Sequence, residues 1–204
     1  MSGKQVRVLV SILFAAAVAI LSVGQASAVE QIGPFAFAAN NPKAILLVGD
    51  IDSNTPAHFR KALARQPQAK VLVLASNGGL LSAPIKLANM VQGRGMSTAI
   101  PARWGCYSAC VYVFFAGKDH IVRGKLGVHR MSTKGGGKNG AMVASSYYNA
   151  VKGDLSRFGI PKGVIAKMQD TSHNDMYVFS KKEIASMGIN RGGANSLAAK
   201  YANH

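Results

Sequence analysis

The sequence predicts a single-domain, layered α/β fold, and three observations predict it. Short apolar runs, each stopped by glycine or proline, alternate with stretches of helical periodicity. The chain has 204 residues, which is one domain of ordinary size with room for a real core. Hydrophobic residues make up 49% and charged residues 16%, a balance that excludes a disordered chain.

The first run is Ala44-Ile45-Leu46-Leu47-Val48, which stops at Gly49-Asp50. The second, Val71 to Ala75, stops at Ser76-Asn77-Gly78-Gly79, and the third, Met96 to Ile100, stops at Pro101. Runs this short and continuous suit strands buried on both faces, as in parallel sheets. Between the first two lies Thr55 to Arg65, with Ser53 and Asn54 as candidate caps, Pro56 in the first turn, and Ala57, Phe59 and Leu63 on one side. Between the second and third lies Ala83 to Gln92, with Gly93 placed to end a helix. Ser108 to Ala116 then reads as an apolar helix ended by Gly117. Right-handed crossovers would join this β-α-β-α-β-α order into layers. Ile121-Val122 and Leu126-Gly127-Val128 read as short strands, and Ser132 to Gly140 as a polar, glycine-rich loop. Val143, Tyr147, Ala150, Val151, Leu155 and Phe158 recur at helical spacing, and Pro161 opens a second helix reaching Gln169. Tyr177-Val178-Phe179 reads as a last strand and Lys181 to Met187 as a last helix. From Arg191 the residues are small and polar, so 191–204 is expected as a flexible tail.

The N-terminus reads as an address. Lys4 and Arg7 precede an apolar run from Val8 to Val23, and Ala26-Ser27-Ala28 offers small residues for cleavage. Residues 1–28 are expected to be a signal peptide, and the alternative of a membrane anchor is opposed by the shortness of the run. The expected location is periplasmic or secreted. Export places the two cysteines, Cys106 and Cys110, in an oxidising compartment. Four residues apart, they are close enough for a bridge, with two buried thiols as the alternative.

The 24 Lys+Arg against 8 Asp+Glu give a formal charge of +16, and loss of Lys4 and Arg7 with the signal peptide leaves +14. Such a protein favours anionic membranes or polymers. The cations are scattered, with no aromatic–basic interleaving, so no nucleic-acid partner is expected. Two cysteines exclude a four-thiolate zinc site. The histidines at 58, 120, 129, 173 and 204 have no close metal-ligand spacing, so neither metal nor cofactor is expected.

Three features carry candidate chemistry. Ser76-Asn77-Gly78-Gly79 lies after a buried strand and before a helix, and glycines there leave N–H groups open to an oxyanion, although a plain strand-to-helix turn has the same letters. Gly105-Cys106-Tyr107-Ser108-Ala109-Cys110 opens a helix, where Ser108 sits in positive dipole potential or simply caps. Gly127-Val128-His129-Arg130 puts a histidine just after a strand.

Taken in order, these features resemble the Clp protease proteolytic subunit and the wider Clp/crotonase superfamily, including signal peptide peptidase A. The C-x-S-A-C and G-V-H-R segments look like those of exported Clp-like periplasmic proteins. The shared segments are 45–51 (ILLVGDI), 73–79 (VLASNGG), 108–117 and 126–129. The resemblance implies a Clp/crotonase-like domain over 44–190, built of β-β-α units, behind an N-terminal extension at 29–43. It implies Ser108 as nucleophile, His129 as base, and the N–H groups of Gly79 and Ala109 as oxyanion hole. The acid is implied just before a strand and a Ser-x-x-Glu helix start. Asp175 matches best, one residue out of spacing from Ser180, and Asp170 is second. Ser180 and Glu183 read as a capping box. A Ser–Lys dyad is the family's other solution, but no lysine here sits in a comparable motif.

The leading expectation is an exported serine hydrolase, an ATP-independent peptidase acting on peptide or other acyl substrates. The 134–140 loop would lie over the substrate. The runner-up is a non-catalytic scaffold on anionic envelope surfaces. A thioester enzyme of crotonase type comes last, since coenzyme A thioesters are not expected outside the cytoplasm. Homo-oligomerisation is implied by the resemblance.

Overall fold

A computed structural model describes residues 28–79, 82–131 and 137–203. The segment expected as a signal peptide, up to residue 27, lies outside them. The strands are β1 (Val29–Ile32), β2 (Phe35–Ala38), β3 (Ala44–Ile51), β4 (Val71–Gly79), β5 (Ser97–Ile100), β6 (Gly105–Tyr107), β7 (His120–Val122), β8 (Lys125–Val128) and β9 (Tyr177–Val178). The helices are α1 (Thr55–Arg65), α2 (Ser82–Gly93), α3 (Cys110–Phe115), α4 (Gly137–Arg157), α5 (Lys162–Asp170), α6 (Lys181–Ser186) and α7 (Leu197–Ala202).

The sheet is mixed and forks at β4. β1, β2 and β3 pair antiparallel in turn, and β3 pairs parallel with β4. The first half of β4, Val71 to Val73, pairs parallel with β5, which pairs parallel with β7. Further along, Ser76 pairs with Cys106 of β6, which continues parallel to β8 and then antiparallel to β9. The single-domain α/β expectation holds, with antiparallel strands at the β1 and β9 edges and a parallel one at β7.

Alternation along the central strands sets the layers. Ile45, Leu47, Leu72 and Leu74 belong to one core with Phe35, Phe59, Leu87 and Val113, so α1, α2 and α3 cover that face. Ala44, Val71, Val73 and Ala99 belong to a second core with Ala198, Ala199 and Ala202 of α7. Burying each large apolar side chain contributes about 1.5–3 kcal/mol, so continuous apolar runs are what a strand covered on both faces requires.

Several expectations are corrected. Residues 191–204 are not a loose tail. Ser196 Oγ accepts from the Ala199 N–H at 3.2 Å to cap α7, and its alanines bury fully against β4, β5 and β7. Residues 29–43 carry the β1–β2 hairpin that extends the sheet. The Ser76–Gly79 segment is the end of β4, not a turn, because its residues pair with Asp50, Ile51 and Cys106. Gly137 to Gly140 belong to α4, so the expected loop is helical from Gly137; residues 132–136 lie outside the described residues. Asn54 is the N-cap of α1, as expected, but without a side-chain bond, and Asp52 supplies the side-chain acceptor in its place. Its Oδ1 accepts from the N–H groups of Asn54 and Thr55 and from Thr55 Oγ1, each at 2.9 Å. These bonds, led by that from Thr55 Oγ1, hold its carboxyl below the usual range.

Candidate active site

β6 was absent from the sequence reading, and it is the strand that delivers the serine. Three residues, Gly105, Cys106 and Tyr107, enter the sheet between β4 and β8. The chain then turns sharply into α3, which begins at Cys110 rather than at Ser108. Ser108 is the turn. Its φ is +52°, and it is the only non-glycine residue with positive φ among the described residues. Left-handed backbone costs an L-residue about 1–2 kcal/mol, so this conformation is imposed by its surroundings. Ser108 does not cap α3: the N-cap is Ala109, without a side-chain hydrogen bond.

Two contacts hold the turn and one glycine makes room for it. The Ser108 N–H donates to the Gly127 carbonyl at 2.9 Å. Cys106 and Cys110 form a disulfide with Cα atoms 5.4 Å apart, so the expected bridge is present and encloses Ser108. Gly78 is that glycine. A Cβ on it would stand 2.7 Å from the Tyr107 carbonyl oxygen, 2.8 Å from the Ala109 nitrogen and 3.0 Å from Ser108 Cβ. Its own φ is +92°. Only glycine lets β4 approach the serine turn this closely.

The register brings His129 to the same edge. Tyr107 pairs with Gly127 on neighbouring parallel strands, about 4.8 Å apart. Ser108 leaves one residue beyond Tyr107, and His129 two beyond Gly127. Both therefore emerge at the C-terminal ends of adjacent parallel strands, where open α/β sheets place their ligands. His129 is half-buried, and its Nδ1 lies 2.9 Å from the Arg130 carbonyl oxygen. A carbonyl only accepts, so Nδ1 carries the proton and Nε2 of the neutral ring keeps its lone pair.

Neither expected acid bonds to that ring. Asp175 lies beyond β9 at the level of Arg130 and is exposed. Its N–H donates to the Ser172 carbonyl at 3.0 Å. Asp170 ends α5 and is exposed as well. The nitrogen of His129 that a triad acid would hold is engaged by backbone instead.

The two oxyanion candidates are differently placed. Ala109 stands before the first turn of α3, which supplies its N–H no acceptor. Gly79 closes the β3–β4 ladder opposite Ile51, and a Cβ there would fall 1.9 Å from the Ile51 carbonyl oxygen. The neighbouring Gly78 N–H donates to Ser76 Oγ at 3.1 Å.

Two side chains escaped the sequence reading because no motif marks them. A Cβ on Gly127 would meet Tyr107 Cδ1 at 2.7 Å and Met176 Sδ at 2.9 Å, so both cover the strand beside Ser108. They make an apolar wall along β8. The Ser180–Glu183 capping box is present, and Glu183 also accepts from the Tyr177 hydroxyl. That bond, with those from Ser180, pulls the Glu183 carboxyl down to about 2. Among the described residues, no three His, Cys, Asp or Glu side chains group as a metal site.

No family model matches the sequence, and no curated protein matches it. Solved structures do. A ClpP1 mutant from Listeria monocytogenes is 15% identical, with a TM-score of 0.56 over 74% of this chain and 90% of its own. A mutant of the 1510-N membrane-bound stomatin-specific protease is 17% identical, with a TM-score of 0.52 over 72% of this chain and 75% of its own. A second mutant of that protease, in complex with a substrate peptide, is 18% identical, with a TM-score of 0.51 over 72% of this chain and 71% of its own. The chain thus has the fold of the Clp-like proteases.

Proposed function

We propose that the protein is an exported, ATP-independent serine hydrolase that cleaves peptides through a Ser108–His129 pair. The observation that carries this reading is the pairing of two unusual features at one sheet edge. Ser108 is held in left-handed backbone, and the His129 ring is pinned by Nδ1 so that Nε2 is the free base.

The chemistry follows from those positions. His129 Nε2 takes the hydroxyl proton as Ser108 Oγ attacks the carbonyl carbon of the substrate. The electron pair of the carbonyl moves to its oxygen, which Ala109 N–H and Gly79 N–H would meet; one such donor is worth on the order of 100-fold in rate. The imidazolium then protonates the leaving amine, an acyl-serine forms, and water reverses the sequence to free Ser108. The Arg130 carbonyl fixes the tautomer of His129, the orienting part of what a triad aspartate does. In this reading Asp175 and Asp170 take no part in the proton transfer. Peptide is the substrate class favoured because one neighbour of the same fold is a protease in complex with a substrate peptide. Tyr107 and Met176 would contact the substrate side chain next to the cleaved bond.

Export rests on the Lys4/Arg7, Val8–Val23 and Ala26-Ser27-Ala28 pattern, and homo-oligomerisation on the fold. The second reading, a non-catalytic scaffold, is favoured by the absence of a carboxylate hydrogen bond to His129 among the described residues.

The test is labelling by a fluorophosphonate probe. The wild type is expected to label at Ser108, Ser108→Ala and His129→Ala to lose the label, and Asp175→Asn to keep its rate within threefold. Equal labelling of Ser108→Ala, or none of the wild type, rejects the hydrolase in favour of the scaffold.

A further inference from the structure

We infer that the Cys106–Cys110 disulfide is a positioning element for the Ser108 hydroxyl, so that the site is competent only in the oxidised protein. The inference rests on the reading of Ser108 as nucleophile and adds to it a redox condition.

The placement of the two sulfurs is specific. Cys106 is the middle residue of β6, tied to Ser76 on one side and Leu126 on the other. Cys110 is the first residue of α3. Both are fully buried. The bridge therefore clamps a strand end to a helix start across three residues, Tyr107, Ser108 and Ala109. Those three carry the apolar wall, the nucleophile and an oxyanion donor.

The turn needs such a clamp. Left-handed backbone at Ser108 is unfavourable, and the Ser108 N–H bond to Gly127 is a single hydrogen bond of about 1 kcal/mol net. Gly78 removes an obstacle but exerts no pull. The bridge ties the two ends of the turn directly, since it fixes both flanking Cα atoms 5.4 Å apart. Without it, Ser108 can relax into ordinary backbone. Its Oγ then swings away from His129 Nε2, and the Ala109 N–H turns away from the oxyanion. A misplacement of about 1 Å costs on the order of 100-fold in rate.

The redox step is balanced by a dithiol. Reduction adds two electrons and two protons to the bridge, gives the thiols of Cys106 and Cys110, and leaves the reductant as its own cyclic disulfide. Burial of both sulfurs means the dithiol acts only when the turn opens, so the loss of labelling should develop slowly.

The experiment compares fluorophosphonate inactivation of oxidised protein, dithiol-reduced protein and the Cys106→Ala/Cys110→Ala variant. Amide hydrogen exchange is followed on the same samples. The maximal inactivation rate is expected to fall tenfold or more on reduction, with half-saturating probe concentration changed less than twofold, and to return on reoxidation. The double variant is expected to match the reduced protein and to ignore dithiol. Exchange should quicken at Ser108 and Val111, whose N–H groups donate to Gly127 and to Ser108 within the turn, while β3 and β4 amides stay protected. A maximal rate within twofold in all three overturns the inference, as does exchange that quickens throughout the sheet, which would make the bridge a global staple. If oxidised protein never labels, the nucleophile reading fails by itself. Local quickening at Ser108 and Val111 then still supports the clamp, and unchanged exchange there rejects it.

Discussion

At Ser108, the backbone works against stability, and the proposed chemistry gives that a use. A left-handed L-residue spends stability to present its side chain, and the surrounding contacts supply that stability. Ser108→Gly should release the strain. After subtraction of glycine's larger unfolded entropy, the gain is up to about 1 kcal/mol, read as a higher urea midpoint, with fluorophosphonate labelling abolished. A lower midpoint would mean that the turn is not strained. The place of Ser108 after a strand and before a helix was legible in the sequence from the order of the Gly-Gly, Ser and His segments. Its backbone was not, because serine is not a residue type that flags positive φ. The partner of His129 was illegible for a different reason. A backbone carbonyl has no letter, so reading for a side-chain acid led to Asp175 while Arg130's main chain held the ring. Gly78 and Gly79 look alike as letters. Only the fork of β4 separates them, setting Gly78 against the serine turn and Gly79 against Ile51.

At the scale of elements, the long runs were readable and the short pieces were not. β3, β4, β5, α1 and α2 fall where periodicity puts them, because strands and helices buried on a large face need unbroken apolar patterns. β6 has three residues, too few to show a period, and it pairs across the fork with partners distant in sequence. α7 was misread for the opposite reason. Its core-facing residues are alanines, which look like loop filler but let a helix lie close on Val71, Val73 and Ala99. That packing makes a prediction. Ala198 is fully buried, so Ala198→Leu forces extra volume between α7 and the sheet. The expected cost is about 1–3 kcal/mol, seen as a lower urea midpoint. A free tail would tolerate leucine without any change.

At the scale of the whole molecule, the excess of cations leaves few internal ion pairs to hold the fold. Among the described residues these are Arg65 with Glu30 at 2.9 Å and Arg157 with Asp154, all with partly exposed side chains, which contribute little. Stability against acid should therefore turn on a buried base rather than on salt bridges. His120 is that base. It is fully buried on β7 with its ring edge-on to Phe114 and Phe115 at 5.0 and 5.1 Å, and its Nδ1 donates to the Gly117 carbonyl at 3.0 Å. Burial drives its pKa from 6.5 down to about 4, and the nearby Arg191 guanidinium adds to the effect against the Gly117 hydrogen bond. The folded ring is thus neutral over a range in which the unfolded ring takes a proton. Between pH 6.5 and 4 the unfolded state binds more protons, so stability rises with pH across that window and is lost as pH falls. The shift corresponds to about 3 kcal/mol, present in full above pH 6.5 and gone below about 4. Glu183, pulled down to about 2, contributes in a lower window, between its ordinary value near 4.5 and about 2, so it leaves the slope above pH 4.5 to His120. His120→Phe keeps a ring between Phe114 and Phe115 and removes the proton. Urea midpoints measured from pH 7 to 4.5 should fall steeply for the wild type and stay nearly flat for His120→Phe, whatever the variant's stability at pH 7. Parallel slopes in the two proteins would show that the acid sensitivity of this fold lies elsewhere than at β7.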